Sequence, residues 1–238
     1  MKCRIISIVL CLGLVLTGIL IPTVTSAEPT TSVTITKYAP DGTTIITQAT
    51  KTPAELETEL PVFGDGATHY WMQGPTFDAE NLWDPGETLN LKDKGAVQGS
   101  SIKDLCELVG GSSVGDRIEI KAIDDLAHDY RYESIYDPGS AMGSMVLCWK
   151  KEGGYAGADF SEGMQLVFFA PTANGSGIFV FGNQDMHDDL PEDNWHYFFH
   201  DGVFYPSVNG LSIKWVDEIN IYTSGTPSSQ SSASLSAT

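Results

Sequence analysis

Basic residues and cysteines are both scarce in this sequence, and each shortage excludes something. Thirteen Lys and Arg stand against 31 Asp and Glu, for a formal net charge of −18. A field of that sign repels nucleic acid and anionic membrane surfaces, so neither is expected as a partner. Of the four cysteines, Cys3 and Cys11 fall within the first 27 residues, which leaves only Cys106 and Cys148. That rules out a Cys-rich zinc motif. Catalytic signatures are missing as well. There is no G-x-S-x-G elbow, Gly-rich phosphate loop, H-E-x-x-H pair or EF-hand loop. A paired-carboxylate glycosidase would need two chosen acids, and among 31 any choice is arbitrary.

What is present begins with a leader. Lys2 and Arg4 precede an apolar run from Ile5 to Ile21, and Thr25-Ser26-Ala27 offers a small-residue cleavage site. The run nearly reaches membrane-spanning length, but no basic flank follows it, which favours cleavage over anchoring. Cys11, behind Val9 and Leu10, does not suit a lipoprotein site. Residues 1–27 are therefore expected to be a signal peptide, residues 28–222 a single domain, and the product secreted or held at the cell surface. No membrane insertion is expected after cleavage. Residues 223–238 are nearly all Ser, Thr, Ala, Gly and Pro and read as a disordered tether or O-glycosylated stalk. Asn174-Gly175-Ser176 matches a glycosylation acceptor. In an oxidising compartment Cys106 and Cys148 are expected to pair, with two buried thiols as the alternative.

The patterning is β-rich. Val33 to Tyr38 and Thr44 to Thr47 flank a Pro40-Asp41-Gly42 turn. Thr52-Pro53-Ala54-Glu55 carries the N-cap, first-turn Pro and capping-box Glu of a short helix ending near Leu60. Residues 61–100 read as a long Gly- and Pro-studded loop. Ile102, Leu105, Cys106 and Val109 recur at helical spacing, predicting a second helix that ends at Gly110-Gly111. Further strands are predicted over 117–122, 130–135, 145–149, 164–169, 178–181, 211–215 and 218–222. The expected class is α+β, β-dominated, with two short helices.

Several segments, in order, resemble the oxidoreductase molybdopterin-binding domain of sulfite-oxidase fold. KTPAELETELP (51–61) is similar to that family's strand-then-helix entry. GSSIKDLCELVGG (99–111) resembles its G-x-x-L-x-D-L-L helix, and NGLSIKWVDEINIY (209–222) its closing hairpin. The resemblance implies one sulfite-oxidase-like domain. It also implies a molybdenum-ligating cysteine just before the Gly99 helix, where residues 88–100 have none. The chain looks like the fold without the metal ligand, as in secreted archaeal domains of methanogen type whose function is unknown. No pterin or molybdenum is expected.

Two segments gather ligand-type side chains: His69 to Met72, and Asp185-Met186-His187-Asp188 on to His196 and His200. His with Met suits copper, His with Asp zinc, and clustered Asp calcium. His69, Asp185, Met186, His187, Asp188 and His196 are therefore the candidate ligands of a divalent or copper ion, which requires the two loops to meet. Tyr70, Trp71, Trp83 and Trp195 are the candidates for stacking on a glycan. A non-enzymatic envelope component of surface-layer or sheath type is expected, self-assembling or joined to other envelope proteins. A metal or glycan binding module is the alternative, and an active molybdopterin oxidoreductase the third reading.

Overall fold

A computed structural model describes residues 30–225; the expected leader and residues 226–238 of the expected tail lie outside the described residues. Val33–Tyr38 (β1) and Ile45–Lys51 (β2) pair antiparallel. In their turn Asp41 Oδ1 accepts the amides of Thr43 and Thr44. Pro53–Glu59 (α1) starts as its capping box requires, with Thr52 and Glu55 bonded reciprocally.

The expected 61–100 loop contains three strands: Tyr70–Gln73 (β3), Leu91–Asp93 (β4) and Val97–Ser101 (β5). Each is too short to show an alternation that rises above its Gly- and Pro-rich surroundings. Ile102–Glu107 (α2) is capped by the Ser101 hydroxyl and buries Ile102, Leu105 and Cys106, the stripe its spacing predicts. Arg117–Ala122 (β6) buries Ile118, Ile120 and Ala122 in alternation. Ala127–Arg131 (β7) returns beside it. The strand expected over 130–135 instead turns helical after Arg131, as Tyr132–Tyr136 (α3), which buries the adjacent pair Ser134 and Ile135.

Ser144–Lys151 (β8), Gly154–Tyr155 (β9), Gln165–Phe169 (β10) and Phe179–Phe181 (β11) follow. Then come Asn183–Asp189 (α4), the hairpin Tyr197–His200 (β12) and Val203–Pro206 (β13), and Val216–Tyr222 (β14). The described residues thus form four α-helices rather than the expected two, in a β-dominated α+β fold. Neither extra helix carries a repeated apolar stripe, since α3 buries Ser134 with Ile135 and α4 buries Asn183 with Met186. The strand expected over 211–215 is not formed. A 3-10 turn at Val208–Leu211 leads to Trp215 in left-handed backbone (φ 53°), so β14 arrives from a bend and not from a hairpin partner.

The largest sheet has the order β2-β1-β14-β6-β7, with β1 and β14 parallel and the rest antiparallel. A second runs β10-β8-β5, with β9 on β8, and a third β11-β3-β4. Their inner faces share one core in which Tyr130, Trp149, Phe168 and Phe181 are fully buried. Each such side chain contributes on the order of 1.5–3 kcal/mol by leaving water.

Helix α2 packs against β8 as expected. The disulfide does not follow, because Cys106 and Cys148 are both buried free thiols. They face different surroundings: the charged neighbours of Cys106 are Glu107 and Lys37, whereas that of Cys148 is Lys94. The alternative of two buried thiols holds. Asn174 is also committed, since its amide donates to the Glu87 carbonyl and its Oδ1 caps the turn to Ile178.

Candidate functional site

The six expected metal ligands do not come together. Strands β3 and β11 are parallel, with Tyr70 opposite Phe179 and Met72 opposite Phe181. His69 precedes this pair and α4 follows it, so strands at roughly 3.3 Å per residue separate them. At its own end His69 bonds Asp93, 2.8 Å away. Helix α4 then distributes Asp185, Met186, His187 and Asp188 around its circumference. Met186 is fully buried in the core, and Asp185 accepts the Gly182 amide. His187 and Asp188 are exposed and paired with each other at 2.8 Å. His196 lies beside His128, which the sequence reading left out. Among the described residues no three His, Cys, Asp or Glu side chains are grouped to hold a metal ion.

A buried polar network places α4. The fully buried Asn183 accepts the Val208 amide, donates its side-chain amide to the Gly74 carbonyl, and gives its backbone N–H to Gln73. Gln73 in turn donates to Asp84, a buried carboxylate that also accepts the amides of Thr88 and Leu89. The loop so held has Asp84, Glu87 and Asn90 in left-handed backbone (φ 41°, 50° and 50°). That conformation is costly for such residues and persists because the network determines it. It lays the Glu87 carboxyl on Gly182, where a Cβ would lie 2.4 Å from Oε1. Burial first, and then the hydrogen bond with Asp185, push Glu87 up to about 9. Glu87 is therefore protonated at neutral pH.

Beyond α4 runs a line of aromatic rings. Trp83 meets His187 and Trp195 edge-on, with centroids at 4.9 and 5.3 Å, and Tyr197 at 6.4 Å. Tyr70, another candidate for stacking on a glycan, lies against Phe169 at 3.8 Å and belongs to the core margin. The line continues onto the β12–β13 hairpin. One hairpin face carries Phe198, His200 and Tyr205 and is covered by Phe77 at 5.1–5.9 Å. The other presents the cross-strand pair Phe199 and Phe204, with centroids at 4.8 Å. These two rings are 59% and 63% exposed, and no aromatic outside the hairpin packs on them among the described residues. The sequence signal was available: Asp201-Gly202 sits between two aromatic runs, the mark of a tight hairpin.

A narrow cleft separates β7 from the segment after α4. His128 and His196 face each other across it nearly at right angles, with centroids 6.2 Å apart. Burial lowers both imidazoles below their ordinary value. No protein-family model matches the sequence, and no curated protein matches it.

Proposed function

We propose that the chain is a secreted cell-envelope interaction domain, of surface-layer or sheath type, that associates with a second copy of itself through the β12–β13 hairpin. The observation that carries this reading is the uncovered Phe199–Phe204 face. Exposed apolar patches of this kind mark contact surfaces. Between Tyr197 and Pro206 only His200 and Asp201 are ionisable apart from tyrosine hydroxyls, in a chain of net charge −18. Two such acidic bodies repel least where carboxylates are fewest. Among the described residues the two-stranded hairpin is not paired to another sheet, so its backbone edges add a template for strand pairing. A non-enzymatic role is further supported by the thiols, because burial opposes formation of the thiolate that a molybdenum ligand would require. Sedimentation of the purified chain over a concentration series tests the proposal. The wild type should associate, more so as added salt screens its charge, and F199S/F204S should be monomeric throughout. A wild type that stays monomeric overturns the reading, as does a double variant that associates equally well.

A further inference from the structure

The cleft between β7 and the segment following α4 contains unfinished chemistry. Its volume is about 210 Å³, and its lining includes His128, Tyr130, Asp193, Asn194 and His196. Three buried polar atoms without a partner among the described residues belong here: the Tyr130 hydroxyl, Asn194 Oδ1 and His196 Nδ1. Each such atom costs roughly 1–3 kcal/mol. Three gathered at one cleft call for a common explanation.

The hydrogen bonds that are made point to the missing group. His128 Nε2 lies 3.1 Å from the Gly210 carbonyl. A carbonyl only accepts, so Nε2 carries the proton, and in the neutral ring Nδ1 is left with a free lone pair. An imidazole whose N–H is anchored on a backbone carbonyl has the orientation of a metal ligand. Gly210 also makes room for the second ring, since a Cβ there would fall 2.1 Å from His196. The Asn194 amide is fixed as well: its Nδ2 donates to the Asp129 carbonyl at 2.6 Å, which identifies Oδ1 as the idle acceptor. All of these groups offer lone pairs, and none supplies a cation.

We infer that this cleft binds a borderline divalent transition-metal ion, of the zinc or copper type, through the imidazoles of His128 and His196. Neutral imidazole is the nitrogen ligand such ions prefer. Asn194 Oδ1 and water complete the coordination, because among the described residues no third His, Cys, Asp or Glu is grouped with the pair. The site differs from the cluster read in the sequence, sharing with it only His196. It does not depend on the hairpin's role in association.

Calorimetric titration of the untagged chain with Zn²⁺ tests the inference, alongside electron paramagnetic resonance of the chain loaded with Cu²⁺. One ion should bind per chain, and the copper spectrum should show coupling to two imidazole nitrogens. H128N and H196N should each weaken zinc binding tenfold or more, while H69N and H187N bind as the wild type does. H128N keeps a donor for the Gly210 carbonyl. Should it fail to fold, G210A and N194A approach the same cleft from its other side, and each should weaken binding. Absence of zinc binding by the wild type overturns the inference. So does affinity that is unchanged in H196N, G210A and N194A.

Discussion

Glu87 and Asp185 hold their carboxyl groups together beside Gly182 at the start of α4, with Asp84 adding a third acid nearby. A single proton makes this possible. The folded Glu87 titrates at about 9, whereas its ordinary value is 4.5, so between those limits the native state keeps a proton that the unfolded chain has released. The contribution of this proton to stability is thus complete at or below about 4.5 and is lost as pH rises towards about 9. The urea midpoint should fall over that range in the wild type. E87Q, which keeps a donor for Asp185, should lose this part of the slope and exceed the wild type at the alkaline end by about 1 kcal/mol, a figure discounted for the half-exposed position. A slope unchanged in E87Q would show that the proton resides elsewhere.

Asn183 is the hub between β3, α4 and the 3-10 turn before β14. Asn183→Ala leaves the Val208 amide and the Gly74 carbonyl buried without partners. The expected loss is about 2–4 kcal/mol. Equilibrium unfolding in urea measures it. Gln184→Ala, one residue along and bonded only to exposed Asp188, should cost no more than about 0.5 kcal/mol.

Legibility in the sequence followed the length and completeness of local signals. Helix α1 announced itself through Thr52, Pro53 and Glu55 acting within one turn, and α2 through a stripe that repeats over eight residues. Strands β3, β4 and β5 lie in a stretch whose Gly and Pro content masks three- to five-residue alternations. At Arg131 the apolar pattern continues while the backbone turns from strand to helix, and the tertiary setting decides. The candidate site was hardest to read. Shared aromatic and histidine content joined the His69 loop to the His187 loop, which the parallel β3–β11 pair places at opposite ends. It missed His128, whose partner lies 68 positions away and arrives only once β7 becomes the edge of the large sheet.

The two core thiols should be silent in the native protein. Burial pushes Cys106 up to about 12 and Cys148 higher still, so almost no thiolate exists to attack a disulfide reagent at neutral pH. Ellman's reagent should label neither residue until the chain is unfolded. It should then label both without prior reduction. Labelling only after reduction would restore the disulfide.

Mass determination of secreted material should find a chain beginning at Glu28. Such a chain also lacks Cys3 and Cys11, so unfolded thiol counts report the same cleavage independently. A secreted product retaining Met1 would refute it.

The strand made last stands in the middle of the large sheet: β14 has β1 on one side and β6 on the other. Until Tyr222 has been synthesised, the β1–β2 hairpin and the β6–β7 hairpin have nothing to join them. The large sheet therefore cannot be completed until nearly the end of synthesis, a delay set by topology alone. A polypeptide that must be threaded through a narrow pore before it folds gains from that delay. For the same reason a ribosome stalled between β7 and β14 releases two unjoined hairpins and not a completed large sheet.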